Sequence, residues 1–67
     1  MKIQLNNSPE SFSDENITVN DLLRLKNFTF RMLIVKINGE LVKKSEYDTA
    51  TIREGDDVMV LHLISGG

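Results

Sequence analysis

The sequence contains no cysteine and no tryptophan, and only one proline and one histidine. Without cysteine the chain has no disulfide framework and no thiolate chemistry of its own, which fits a reducing compartment. No apolar run approaches the ~20 residues of a membrane-spanning helix. The N-terminus also lacks the long apolar stretch of a signal peptide. We therefore expect a cytoplasmic chain that does not enter a membrane.

At 67 residues the chain has little material for an enclosed active site. A chain this short buries only about 60% of the surface that its unfolded form exposes. There is room for one sheet and one good helix, but hardly for an enclosed active-site cavity, so the size disfavours an enzyme. No His, Asp and Glu residues cluster at metal-ligand spacing. We predict a single domain over residues 1–67 that is not an enzyme and binds no metal.

The charges are segregated, although the formal net charge is only −2. Residues 17–44 are mainly basic, and residues 45–67 are mainly acidic. No basic stripe is interleaved with aromatic residues, so nucleic-acid binding is disfavoured. The acidic region is either a solvated surface or a region that orients a basic partner surface.

The first quarter of the chain predicts a hairpin. Residues 1–5 alternate between apolar and polar side chains, as in a half-buried strand. The segment 6–9 is dense in turn-forming residues, and 10–13 follows as a short return strand with Phe12 turned inward. We interpret this loop as too long for a tight two-residue turn.

One segment carries a strong helical signal. Thr18 has the character of an N-cap, and Asp21 stands three residues later, as in a capping box. Apolar residues on one face predict a helix over residues 19–26, with Leu25 outside the buried stripe. Lys26 and Asn27 close this helix.

The second half of the chain predicts strands joined by turns. Residues 32–37 form a buried strand, and Asn38-Gly39 is a hairpin turn that leads into a return strand over 40–42. Helical or tight turns are expected at 45–48, where Tyr47 plugs the core edge, and at 53–56, where Gly55 takes a positive φ. A short extended piece, 51–52, and a last strand, 58–64, complete the pattern.

This order of elements predicts an α+β fold. A single helix must bury its apolar stripe against one face of a sheet. The first and last strands are then parallel neighbours in the middle, with the helix in the crossover between them. We expect a mixed sheet of four to five strands packed on one main helix.

The last strand has two faces of different use. If Val58 and Val60 face the helix, alternation turns Met59, Leu61 and Leu63 outward. An exposed apolar patch of this kind is typical of a docking surface. The reversed parity would place these three residues in the core instead. His62 is interpreted as a rim residue near the end of the strand rather than as a catalytic base.

The chain ends on Ser65, Gly66 and Gly67. Glycine has no Cβ, so the last two residues form a very thin, flexible tail over 65–67. Such a tail can thread a narrow cleft in another protein and place its carboxylate beside a bound nucleotide. The alternative is an ordinary solvated terminus.

Segments throughout the chain fit one known pattern, and the most specific is the Glu-Gly-Asp turn followed by an apolar strand and Gly-Gly. On these segments the chain resembles the β-grasp, or ubiquitin-like, fold and, within it, the ThiS family of bacterial sulfur carriers for thiamine synthesis. It departs from the family at 14–16, where many members place a glycine, and at 26–31. The segments are Met1–Ile3, Thr18–Leu23, Val35–Glu40, Val42, Tyr47, Ile52–Val58 and Ile64–Gly67.

The resemblance implies a carrier and co-substrate. An E1-like adenylyltransferase would use ATP and Mg²⁺ to adenylate the Gly67 carboxylate, and a cysteine desulfurase or other sulfur donor would supply the sulfur. Gly67 would then carry a thiocarboxylate, whose sulfur thiazole synthase takes into the thiazole ring. Gly66 and Ser65 would thread the tail, and Met59, Leu61 and Leu63 would contact the partners. The carrier itself would bind no cofactor and would be a monomer.

Two other functions share parts of this pattern. The small subunit of molybdopterin synthase has the same fold and diglycine, but it carries an aromatic-proline segment before the tail that this chain lacks. A ubiquitin-like modifier would instead join Gly67 to a lysine by an isopeptide bond. A plain interaction module would leave the glycines without a role.

Overall fold

The computed structural model describes residues 1–29 and 32–63. The strands form a five-stranded mixed sheet with the order β2-β1-β7-β4-β5, and β3 and β6 form a separate antiparallel pair. One α-helix and one short 3₁₀ turn complete the described elements. They are β1 (Lys2–Leu5), β2 (Ser8–Ser11), β3 (Asn16–Thr18), α1 (Val19–Leu25), β4 (Leu33–Ile37), β5 (Glu40–Val42), the 3₁₀ turn (Lys44–Glu46), β6 (Thr51–Arg53) and β7 (Asp57–His62).

The centre of the sheet is a parallel pair. β1 lies parallel to β7, with Leu5 opposite Val58, and β7 lies antiparallel to β4 on its other side. α1 lies in the connection between β1 and β7, as the sequence predicted. The α+β architecture with a mixed sheet and one main helix is therefore confirmed.

The N-terminal hairpin is tighter than the sequence interpretation allowed. Leu5 pairs with Ser8, so only Asn6 and Asn7 form the loop, and the return strand is Ser8–Ser11 rather than 10–13. Both asparagines have a positive φ, 51° and 66°. Asparagine tolerates this left-handed region, and two such residues form the turn that matches the twist of a hairpin. Pro9 is accommodated because β2 is an edge strand.

The ends of α1 follow the local sequence. The N–H of Asp21 donates to Thr18 Oγ1 at 3.1 Å, and the N–H of Thr18 donates to the Asp21 carboxylate at 3.1 Å, so the predicted capping box is present. After Lys26, Asn27 takes a φ of 57°, and the N–H of Phe28 donates to the carbonyl of Leu23. This pair of features is the Schellman way of ending a helix, with asparagine in the usual place of glycine.

The capping box makes stability sensitive to acid. Hydrogen bonds from the Thr18 backbone and hydroxyl, with a smaller effect of Arg24, hold the pKa of Asp21 below its ordinary value of 3.8. A lowered folded pKa stabilises the fold fully above the unfolded pKa, and this is lost as the pH falls through the folded value. We expect the free energy of unfolding to fall below about pH 4 more steeply than in Asp21→Asn, measured by denaturant titration across pH.

Asp14→Asn is the matched control for this acid effect. Asp14 is an exposed loop carboxylate, so its replacement should keep the wild-type slope. Equal slopes for the wild type and Asp21→Asn would contradict the prediction.

The sequence interpretation missed one strand pairing. The sequence pattern predicts no strand between residue 13 and the helix, but Asn16 begins β3, which pairs with β6 so that Ile17 faces Ile52. Both isoleucines are buried. Asn16 and Arg53 are 37 positions apart in the chain, so no local pattern marks this pair.

The buried core lies between α1 and one face of the five-stranded sheet. Tyr47 closes its edge, as predicted, and Phe12 and Phe28 pack against it while half-buried. Leu25 is 56% exposed, as its position outside the helical stripe predicts. Within the described residues, no helix is long and apolar enough to cross a membrane. The core residues are Ile3, Leu5, Ile17, Val19, Leu22, Val35, Tyr47, Ile52, Val58 and Val60.

Candidate functional site

The predicted reactive tail follows directly on β7. Ser65, Gly66 and Gly67 lie outside the described residues, so their predicted roles and the predicted flexibility of 65–67 stay predictions. The structure does describe the strand that carries them, as far as Leu63. The described part of the candidate site is therefore the base of the tail, the part of the chain that ends at Leu63.

On one side, β4 holds this base over its whole length. Five residue pairs join β4 to β7, from Ile37 opposite Val58 to Leu33 opposite His62. The N–H of Leu63 donates to the carbonyl of Met32 at 2.9 Å and extends the pairing beyond the strand. The last strand is thus registered against β4 up to four residues before Gly67.

On the other side, an asparagine side chain replaces a strand. The β1 backbone pairs with β7 only over a short stretch, because the chain turns away at Asn6. The N–H of Asn6 donates to the carbonyl of Val58 at 2.9 Å, and Asn6 Oδ1 accepts the N–H of Val60 at 2.8 Å. The side-chain oxygen takes the position of the next backbone acceptor and carries the ladder one step further toward the tail.

The two faces of β7 follow the sequence alternative in which Val58 and Val60 face the helix. Val58 is fully buried and Val60 is 7% exposed, so both belong to the core. On the opposite face Met59 is half-buried, while Leu61 and Leu63 are 42% and 41% exposed. The parity that turns these three outward is confirmed, and their role in docking stays a prediction.

The tertiary structure adds residues that the sequence interpretation did not include. Ile34 lies directly opposite Leu61, and Leu41, which is 61% exposed, lies one strand further out on β5. Directly opposite residues of antiparallel strands project to the same face. We call Ile34, Leu41, Met59, Leu61 and Leu63 the outer patch. The alternation of β4 around buried Val35 was a usable signal for Ile34, but the register to Leu61 was not visible in the sequence.

The Glu-Gly-Asp turn, which precedes β7, is hydrogen-bonded to β1 and to the Asn38-Gly39 hairpin. Gly55 has a φ of 84°, and its N–H donates to the carbonyl of Lys2 at 2.7 Å. The Asp56 carboxylate accepts the N–H of Arg53 at 2.9 Å and the side-chain N–H of Asn38 at 3.1 Å. These bonds tie the turn to the Asn38-Gly39 hairpin, so this part of the acidic region has a structural use.

His62 is the last residue of β7 and is exposed. This agrees with its prediction as a rim residue. Among residues 1–29 and 32–63, no group of three or more His, Cys, Asp or Glu side chains is placed to hold a metal ion. What the described site offers is therefore a firmly registered strand with an apolar outer face, which the sequence continues into Ser65, Gly66 and Gly67.

A known protein family matches this chain over nearly its whole length. The model of the ThiS family matches residues 3–67, which includes β7 and the diglycine. The chain belongs to the ThiS family.

Solved structures and a curated relative agree with this family assignment. The crystal structure of the thiamine biosynthesis protein ThiS from Geobacter metallireducens matches with a TM-score of 0.86 and 30% identity, over 100% of both chains. A solution structure of a thiamine biosynthesis protein from the same organism matches with a TM-score of 0.76 and 27% identity, over 100% of this chain and 88% of that one. The sulfur carrier protein ThiS of Bacillus subtilis is 26% identical over 97% of this chain and 98% of its own. The predicted β-grasp fold is thereby confirmed.

Asn6 offers a test of how this ThiS-family chain fixes the base of its tail. Asn6→Gly keeps the left-handed backbone but removes the acceptor for the Val60 N–H. We expect it to lose about 1 kcal/mol of unfolding free energy and to speed hydrogen exchange at the Val60 amide. Asn6→Asp keeps an acceptor and should stay near the wild type. Denaturant unfolding and amide exchange by NMR measure both effects.

Asn7→Gly is the control for Asn6→Gly. Asn7 shares the positive φ, and no hydrogen bond of its side chain occurs among the described residues. Its replacement should leave the Val60 amide protected. If the Val60 amide exchanges as slowly in Asn6→Gly as in Asn7→Gly, the hydrogen bond from Val60 to the Asn6 side chain is not what holds β7.

Proposed function

We propose that this chain is the sulfur carrier of thiazole formation in thiamine biosynthesis and that its reacting group is the carboxylate of Gly67. The observation that carries the proposal is the family match, which runs from residue 3 through Gly67. The names of the relatives, a sulfur carrier protein and a thiamine biosynthesis protein, support it. They favour the thiamine branch over the molybdopterin alternative.

The proposed chemistry begins with activation of a poor electrophile. The Gly67 carboxylate attacks the α-phosphorus of ATP on an E1-like adenylyltransferase with Mg²⁺, and pyrophosphate leaves. The persulfide of a cysteine desulfurase, or of another sulfur donor, then attacks the acyl carbon and AMP leaves, so that Gly67 is joined to the donor by an acyl disulfide. A thiol then attacks the donor sulfur of that S–S bond, which leaves the other sulfur on Gly67 and forms a new disulfide on the donor. The product is a thiocarboxylate on Gly67, and thiazole synthase takes its sulfur. We expect the carrier to act in the cytoplasm together with these enzymes.

The carrier's part in this chemistry is presentation. Gly66 and Gly67 lack Cβ atoms and fit a cleft that other residues would block, and Ser65 is the small residue that precedes them. β7 is held by β4 up to Leu63 and, on its other side, by β1 and Asn6 up to Val60, so the tail begins from a fixed point. Met59, Leu61 and Leu63 offer the apolar contact that docks the domain. Acid–base and metal chemistry is left to the enzymes that receive the tail.

Intact-mass spectrometry of the chain purified from its native host tests the proposal. Replacement of one carboxylate oxygen by sulfur supports the carrier. Adducts to lysines of other proteins would support a protein modifier instead. A chain that stays unmodified, also after incubation with the host's adenylyltransferase, ATP, Mg²⁺ and sulfur donor, would contradict the proposed function.

A further inference from the structure

The outer patch borders a positive charge. Lys36 lies on β4, directly opposite Met59 of β7 on one side and Leu41 of β5 on the other. Because Val35 is fully buried, alternation turns Ile34 and Lys36 to the outer face. An exposed lysine thus stands between apolar neighbours on both adjacent strands, on the face that leads to the tail.

Lys36 is not ion-paired in the part of the chain that the structure describes. The ion pairs among the described residues join Arg24 to Asp21, Lys26 to Glu10 and the N-terminal amino group to Glu54, and none of them includes a residue of the outer patch. Lys36 takes part in no ion pair or side-chain hydrogen bond within residues 1–29 and 32–63. In the free chain, water solvates its ammonium group.

Covering the outer patch changes that balance. A partner that buries Met59 and Leu41 also removes water from the lysine between them. Taking an ammonium out of water is costly unless an opposite charge and hydrogen bonds replace the water. A purely apolar partner surface would therefore be penalised at this one position.

We propose that the outer patch docks on an apolar surface of the activating enzyme that carries a carboxylate opposite Lys36. The inference rests on the proposed function, which makes that enzyme the partner that must hold β7 while it reaches Gly67. The lysine then selects among partners, because a surface without an acidic group leaves the charge unpaired. A second copy of the chain fits less well, since its own patch brings another lysine to the interface.

Lys36→Met tests the proposal, because the proposed carboxylate and a purely apolar enzyme surface predict opposite changes in affinity. Methionine is similar in length and has no charge. If the enzyme has the carboxylate, the substitution leaves that group buried and unpaired, and we expect affinity to fall by ~30-fold or more. If the enzyme surface is purely apolar, the same substitution removes a desolvation cost and binding becomes tighter. The KM for the carrier in ATP–pyrophosphate exchange and the Kd by calorimetry report the change.

Three further variants separate charge pairing from other effects. Lys36→Arg keeps the charge and should stay within a few-fold of the wild type. Lys36→Gln is a polar second replacement and should weaken binding as methionine does. Lys44→Met removes an exposed lysine from the 3₁₀ turn, changes the net charge equally and should leave the KM unaltered. Raising the salt concentration should narrow the gap between the wild type and Lys36→Met.

The outcomes also distinguish this inference from the function on which it rests. A wild-type chain that the enzyme does not adenylate overturns the proposed function, and this inference falls with it. If the wild-type chain is adenylated, but Lys36→Met and Lys36→Gln bind the enzyme as well as it does or better, the proposed carboxylate opposite Lys36 is wrong and the proposed function stands. Circular dichroism of each variant confirms that the fold is retained.

Discussion

A chain that lacks Gly67 is expected to lose adenylation completely and to keep its free energy of unfolding. Its new terminal carboxylate, on Gly66, lies one residue short, about 3.3–3.6 Å along an extended chain. A misplacement of only 1 Å at a reacting atom can cost about 100-fold in rate, and this shift is larger. The buried core of the described residues ends at Val60, so removing residue 67 takes nothing from it.

ATP–pyrophosphate exchange with the activating enzyme measures the loss, and denaturant unfolding measures the stability. Gly67→Ala is the matched variant, because it keeps the length and the carboxylate but adds one Cβ. It should be adenylated slowly rather than not at all. If the shortened chain still restores growth without thiamine in a host that lacks its own carrier, the proposed role of Gly67 is wrong.

Leu61→Asp is expected to weaken binding to the activating enzyme by at least about 100-fold and to leave the fold largely intact. Leu61 is 42% exposed on the outer face, so the substitution buries no charge in the free chain. In the complex it removes an apolar contact, worth roughly 1.5–3 kcal/mol when fully buried, and places a carboxylate in an apolar interface. The expected carboxylate opposite Lys36 would add repulsion.

Leu25→Asp is the control for this substitution. Leu25 is 56% exposed, but it lies on α1, which packs on the other face of the sheet. It introduces the same charge and should cost only a little stability, because an acidic residue is unfavourable at a helix C-terminus. Its affinity for the enzyme should stay close to that of the wild type. Global unfolding of Leu61→Asp by circular dichroism would contradict the assignment of Leu61 to the outer face.

The sequence predicted the features that depend on neighbouring residues. The capping box of Thr18 and Asp21, the Asn38-Gly39 turn and the positive φ at Gly55 each follow from backbone preferences within four residues. The alternation of β7 followed from the same kind of reasoning, but both parities stayed open, and only the burial of Val58 and Val60 decided between them. The Asn6-Asn7 turn was also local, but the proline at position 9 was interpreted as part of the loop.

The tertiary structure decided the contacts between distant segments. The pairing of β3 with β6, the bond from Val60 to Asn6 and the position of Lys36 between Met59 and Leu41 all join residues that no periodicity connects. Such pairings gain their free energy only after the chain has closed large loops, so their register depends on the whole set of packed strands. By itself, therefore, the sequence determined most of the elements, the alternation of the last strand and the diglycine that follows it. Only the packed sheet decided which side chains surround that strand, because cross-strand neighbours are set by register and not by order along the chain.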